Sequence, residues 1–271
     1  AYGLGISAIS EAVADLAAGF CVFQLREAAA ADLARRTGKR ILALGPSESR
    51  DADDYLDCGV TPTVTTIDAA KTLRRAMPAL SVDTGMQRFA CSAGEIDDIV
   101  RAGDCREIFT HATHMAQVAR LCELSAAHDV PRHAAASALL HEEGACLDAV
   151  RPGMALYENA VTISAPLVEV HTSHGPAGYS GFIAPRHGVI MAGYAHGLRK
   201  GPCLINGERR SILEVGMQSA YVEIGAQDRA GDDVILLSAD LPAPEISADW
   251  GCGPHEVLTA LANAATRRYR Y

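Results

Sequence analysis

Over the first 157 residues, short apolar runs alternate with stretches of helical periodicity, the pattern left by repeated strand and helix units around a parallel sheet. Seven runs read as strands: residues 20–23, 41–44, 62–65, 80–83, 107–110, 133–136 and 154–157. Between them the periodicity predicts helices such as 26–36, closed by Gly38, and 67–77, with the Gly and Pro punctuation that helix ends favour. Seven strands is one short of a closed eight-stranded barrel, and the chain opens on a Gly-rich segment of the kind that follows a strand. The expectation is therefore an α/β barrel whose first strand lies upstream of Ala1.

The grammar changes after roughly residue 160. Alternating runs at 168–171, 189–192, 221–224 and 234–237, separated by Gly, Pro and Asp turns, predict a mostly antiparallel β domain with one late helix over 254–265. The expected domains are 1–160, an N-terminally incomplete barrel, and 161–271, the β domain.

Composition narrows the function classes. With 271 residues, 49% hydrophobic and 21% charged, the chain can bury a substantial core. Lys and Arg number 24 against 33 Asp and Glu, a formal charge of -9 without long runs, which argues against a surface for phosphate backbones and so against nucleic acid. The eight cysteines show no C-x-x-C spacing, which gives no support to a zinc site or a disulfide framework, and no metal is expected. No apolar run approaches the roughly 20 residues that span a bilayer. Cytoplasmic residence is the expectation.

Barrel enzymes carry their chemistry on loops at the carboxyl ends of the strands. Arg88 follows the fourth expected strand, His111 the fifth and Ser137 the sixth. Ser137, beside the backbone of Gly153 and Met154, offers hydroxyl and N–H donors suited to a phosphate. Taken singly, each of these residues is more often a turn or surface residue. Their company is more specific. Val82-Asp83-Thr84-Gly85-Met86-Gln87-Arg88 places a glycine-permissive turn between a strand and an arginine that can fork onto a carboxylate. It stands in fixed order with Ala1-Tyr2-Gly3-Leu4-Gly5, Thr110-His111, Arg151-Pro152-Gly153-Met154-Ala155-Leu156-Tyr157 and Gly193-Tyr194-Ala195-His196-Gly197.

In these motifs and their order the chain resembles the alanine racemases over nearly its whole length. The resemblance implies a (β/α)8 TIM-type barrel that binds pyridoxal 5'-phosphate (PLP), a following β domain, and a homodimer whose sites borrow residues from the partner. It implies interconversion of L- and D-alanine, and with it supply of cell-wall (peptidoglycan) precursors. Racemisation needs an electron sink for the α proton, which PLP supplies, and one base on each face of the substrate. The resemblance assigns one base to Tyr194, with Arg88 and His111 as the neighbours that let a phenol work near neutral pH. It sets Arg151 against the pyridine nitrogen, where a permanently protonated guanidinium keeps that nitrogen unprotonated. Tyr2, Ser137, Gly153, Met154 and His255 match cofactor-binding positions. Arg88 and Met217 match positions around the substrate carboxylate, and Tyr179 matches a tyrosine near the substrate entrance, although Tyr179 and Tyr157 read equally well as packing residues.

Several positions depart from the family pattern. Its second base, a Schiff-base lysine in Lys-Ala-Xaa-Ala-Tyr-Gly, falls three residues before Ala1, and Lys39, Lys71 and Lys200 read as surface lysines. Ser81 stands where many members carry a carbamylated lysine that orients the arginine matching Arg88. Ala136 replaces an asparagine, His196 an aspartate, Gly216 and Gln218 a cysteine and an aspartate, and His255 a tyrosine. The segment after His111 is shorter than usual. These changes leave open a racemase of another small amino acid, or a PLP-binding member with impaired catalysis. A basic amino-acid decarboxylase, which pairs the pyridine nitrogen with a carboxylate, is disfavoured by Arg151.

Overall fold

The computed structural model describes residues 1–270, which divide into two compact units: Ile6–Gly153, and Ala1–Gly5 with Met154–Arg270. In the first, β1 (Gly19–Val22), β2 (Arg40–Pro46), β3 (Val60–Val64), β4 (Ala79–Ser81), β5 (Glu107–Ala112), β6 (Arg132–Ala136) and β7 (Ala149–Arg151) pair in chain order, every pair parallel. Helices α1 (Ile6–Ala12), α2 (Leu25–Ala30), α3 (Leu33–Thr37), α4 (Ala52–Asp57), α5 (Ile67–Thr72), α6 (Ile96–Gly103) and α7 (Met115–Leu124) complete the unit.

The strands are apolar on both faces because both are covered. Ile41, Ala43, Val60, Leu80 and Ile108 join helix residues such as Leu33, Tyr55, Ile99 and Leu121 in the larger core. Leu42, Ala79 and Phe109 point the other way and form a small core with Leu44. Arg40, the first residue of β2, reaches Glu107, the first of β5, although β3 and β4 lie between them in the sheet. The seven strands thus curl into a nearly closed barrel.

Local chemistry places the helix ends. Asp51 accepts the Asp53 N–H at 2.9 Å ahead of α4, and Thr66 accepts the Ala69 N–H at 3.2 Å ahead of α5, as N-caps do. The helix expected over 26–36 is broken at Asp32, whose φ of 48° is left-handed, and Gly38 closes its second half as expected. The helix expected over 67–77 stops at Thr72 and continues as a 3-10 turn, Arg74–Ala76. The seventh strand is Ala149–Arg151, not 154–157, because Pro152 brings no N–H to continue a ladder. The apolar run after it forms a 3-10 turn, Met154–Leu156.

In the second unit, β8 (Ile163–Thr172), β9 (Arg186–Ile190), β10 (Pro202–Ile205), β11 (Glu208–Val215), β12 (Ala220–Glu223) and β13 (Asp233–Leu237) close an antiparallel barrel in the order β10-β11-β12-β9-β8-β13. Leu167, Ile190, Ile205, Val222 and Val234 are at most 1% exposed. Each such side chain is worth about 1.5–3 kcal/mol on burial, so the interior carries this barrel. Helices α8 (Ala243–Trp250) and α9 (Pro254–Ala264) follow, each with proline in its first turn. Ala1–Gly5 belongs here: the Arg267 Nε–H donates to the Gly3 carbonyl at 2.6 Å, and the Tyr269 hydroxyl to the Leu4 carbonyl at 2.7 Å. No helix among the described residues is long and apolar enough to cross a membrane.

Candidate active site

Strand alternation decides what faces the interior of the parallel barrel. On β5, Glu107, Phe109 and His111 share a face, and Phe109 belongs to the inner core. From the neighbouring strands, His133 stacks on Phe109 with ring centroids 5.0 Å apart, and the Arg151 guanidinium lies 5.4 Å from the Phe109 centroid.

These side chains form one hydrogen-bonded line. Arg40 Nη1 donates to Glu107 at 2.8 Å, and Nη2 donates to its other oxygen. His133 Nε2 lies 3.4 Å from the Glu107 carboxylate, and His133 Nδ1 meets Arg151 Nη1. A guanidinium can only donate, so Nδ1 accepts and the ring proton sits on Nε2, facing Glu107. Arg151 Nη2 donates to the Thr110 and Ala134 carbonyls at 2.7 and 3.2 Å.

Titration follows from the same geometry. Burial works to raise the Glu107 carboxyl, but hydrogen bonds from His133 and Arg40, with the Arg40 charge, hold it at about 2. Burial and then the Arg151 charge push His133 below its usual range, outweighing Glu107, so the ring is neutral. Arg151 therefore sits as a fixed cation and donor at the carboxyl end of β7. Arg40, Glu107, Phe109 and His133 were not singled out in the sequence. The only signal for Glu107 is its even spacing from Phe109 and His111 on one strand.

Around the same rim stand Arg88, His111 and Ser137. The Gly153 N–H donates to Ser137 Oγ at 2.9 Å, so those two expected phosphate-site residues are together. Arg88 lies on a loop that leaves and rejoins the sheet, with Asp83 N–H bonded to Cys91 O and Cys91 N–H to Ser81 O, each at 2.9 Å. The Asp83 carboxylate accepts from the Gly85 and Gln87 N–H groups at 2.8 and 2.9 Å, and these bonds, Gln87 first, lower its pKa. Gln87 and Phe89, on either side of Arg88, hold left-handed φ angles of 55° and 50°. A backbone that costs side-chain residues energy thus fixes where Arg88 leaves the loop.

In the second unit, Tyr194 opens a 3-10 turn, Tyr194–His196, seated on the loop after β11. Its N–H donates to the Gly216 carbonyl at 2.9 Å, and the Ala195 N–H to that of Met217 at 2.9 Å, which sets Tyr194 beside Met217. His196 Nδ1 accepts the Gly193 N–H at 3.1 Å. An aspartate carboxylate in its place also accepts at the start of a turn; the imidazole keeps the cap and removes the negative charge.

Tyr179 projects from a loop held by Glu214, whose carboxylate accepts the Tyr179 and Ser180 N–H groups at 2.7 and 2.6 Å. Tyr2 and His255 also come together, with ring centroids 5.8 Å apart, and Tyr2 meets Tyr157 edge-on at 5.6 Å. Tyr2 and His255 line a cavity of about 460 Å³ at the N-terminal end of α9. Burial raises the Tyr2 hydroxyl above its usual range, so it remains a donor. Met154 lies on the turn before Tyr157 and takes the Tyr157 N–H on its carbonyl at 2.9 Å.

Residues 1–160 match the family described as alanine racemase, N-terminal domain, and residues 161–269 match alanine racemase, C-terminal domain. Among curated relatives, alanine racemase of Mannheimia succiniciproducens is 25% identical over an alignment of 319 residues that takes in 99% of this chain and 89% of the relative. That alignment is longer than the 271 residues here, so the relative carries segments inside the shared span that this chain lacks. Among solved structures, biosynthetic alanine racemase from Pseudomonas aeruginosa superposes with a TM-score of 0.85 at 24% identity, covering 100% of this chain and 90% of the other. Alanine racemase from Bartonella henselae, solved with covalently bound pyridoxal phosphate, gives 0.82 at 22% identity, with 99% and 89% covered.

Proposed function

Because this chain belongs to the alanine racemase family, we propose that the protein interconverts L- and D-alanine with PLP as cofactor. The observation that carries the reading is the Arg151 line: a half-buried guanidinium, fixed by His133, Thr110 and Ala134, that can donate and cannot accept. This donor set fits the lone pair of a pyridine nitrogen and does not fit a protonated one. Arg151 would hold the pyridine nitrogen of PLP, and Ser137, its hydroxyl oriented by the Gly153 N–H, would donate to the phosphate; Tyr2 and His255 offer hydroxyl and imidazole donors of the same kind.

When bound, PLP supplies the electron sink that makes an amino acid's α proton removable. The chain's own residues do the rest. Arg88 binds the substrate carboxylate, and the left-handed backbone on either side sets where its side chain leaves the loop. Tyr194 Oη takes or returns the proton on one face. Met217 packs beside Tyr194 against the substrate, Tyr179 stands at the entrance, and His111, on the inward face of β5, tunes the proton-handling groups. The working form we propose is a homodimer in the cytoplasm, each protomer supplying Tyr194 to its partner's site.

The test is the full-length protein with PLP and L-alanine in deuterated water. Deuterium should enter at the α carbon and both enantiomers should accumulate; exchange that yields the L form alone would refute a two-sided mechanism. Tyr194→Phe should slow α-proton removal from one enantiomer by two orders of magnitude or more, consistent with the roughly 10²–10⁴-fold worth of general acid–base groups. Equal, small effects on both enantiomers would remove Tyr194 from the reaction.

A further inference from the structure

An aromatic pair closes part of the barrel mouth without belonging to any of the motifs above. Phe23 directly follows β1. Val22 packs outward into the larger core, so alternation turns Phe23 inward, the same way as Cys21, which lies within reach of the Arg151 and Glu107 charges. The Phe23 carbonyl accepts the Gly45 N–H at 2.8 Å, and its ring lies so near Gly45 that a Cβ there would sit 3.3 Å from two ring carbons. Glycine at 45 gives the ring its place. From the other side comes Phe89, after β4. The two rings meet at 5.8 Å and 60°, an edge-on arrangement, although β2 and β3 separate their strands in the sheet. The Arg88 guanidinium stands 5.9 Å from the Phe89 centroid. Both rings remain almost half exposed, 45% and 47%, so they stand in open space rather than in the core.

We propose that Phe23 and Phe89 form a specificity-determining wall across the mouth, which limits the side chain of an amino acid held by Arg88 to about the size of a methyl group. The inference rests on the assignment of Arg88 to the substrate carboxylate. Gly45 leaves the room that one ring occupies, and the left-handed backbone at 87 and 89 sets where the other leaves its loop. An apolar wall admits or refuses methyl and methylene groups, and each is worth about 10–200-fold in discrimination.

The test uses full-length protein and two unreactive carboxylates: propionate, which has the carbon skeleton of alanine, and 4-methylpentanoate, which has that of leucine. Titration calorimetry on the wild type should show propionate preferred. Phe23→Ala should shift the affinity ratio toward 4-methylpentanoate by about tenfold or more, and the milder Phe89→Leu should shift it the same way by less. The leucine-to-alanine ratio of kcat/KM should follow. Ratios within twofold of wild type in both variants, or a wild type without preference, overturn the wall. A shifted binding ratio in a protein that racemises nothing would uphold the wall and sink the racemase reading, so the two failures are distinguishable.

Discussion

A half-buried guanidinium at the end of a strand keeps its direction only if every neighbour that could rotate is itself held. His133 offers Arg151 an acceptor because Glu107 engages its other ring nitrogen, and Glu107 stays ionised because Arg40 engages both carboxylate oxygens. Three side chains thus fix one donor. The same logic governs the turn that carries Tyr194. A Cβ on Gly193 would run into the backbone carbonyls of Gly216 and Met217, which cannot swing aside as a side-chain tip can. Gly193→Ala should therefore cost about 1–3 kcal/mol, as overpacking does. In a protein of this size that lowers the thermal midpoint by roughly 2–12 °C, readable by calorimetry. An unchanged midpoint would mean that the turn is not seated as described.

At the scale of elements, the line from β2 across to β6 makes the parallel barrel sensitive to acid. The Glu107 carboxyl falls from its ordinary 4.5 to about 2 on folding. As pH drops, the unfolded chain takes the proton first, so its contribution is full above about 4.5 and drains toward 2. His133 is also lowered, so the unfolded ring protonates first below its ordinary 6.5 and adds to the same trend. The Glu107 share is on the order of 3 kcal/mol. Urea midpoints of wild type should fall steadily between pH 5 and 3, and those of Glu107→Gln should fall less; parallel curves would show that the pair is not linked to folding. Long-range pairings of this kind are what the sequence hides, since Arg40 and Glu107 stand 67 residues apart. Much of the element pattern was legible. Six of the seven parallel strands overlap their apolar runs, and the change of grammar near residue 160 marks the β-rich part. Where legibility failed, the cause is local. Residues 149–151 make a strand too short to show periodicity, while the apolar run at 154–157 imitates one. The β10–β11 hairpin was missed although Asn206-Gly207, with φ of 51° and 79°, is the dipeptide such turns require. So was α8, despite the prolines at its start. Of the proposed site, Arg88, Ser137, Tyr194 and Arg151 could be picked out by motif. Phe23, Glu107 and His133 could not, because their significance lies in which way an inward face points.

For the molecule as a whole, Tyr179, Tyr194 and Met217 are 95%, 59% and 59% exposed and belong to one unit, with the Tyr179 ring near Gly216 and Tyr194 bonded to it. Under the proposed homodimer this surface meets a second copy, and sedimentation equilibrium should return twice the protomer mass. Met217→Glu, which buries a charge in that contact, should weaken association by tenfold or more; a monomeric wild type would remove the shared site. One further consequence follows from Arg267 and Tyr269 grasping Gly3 and Leu4. Ala1–Gly5 are thus translated before Ile6–Gly153 yet are structural members of the unit completed after it. A nascent chain can condense Ile6–Gly153 on the ribosome, but Ala1–Gly5 have no resting place until Arg267 and Tyr269 have been translated. Synthesis halted before Arg267 would release a condensed parallel sheet with Ala1–Gly5 unseated, a ready substrate for quality-control proteases.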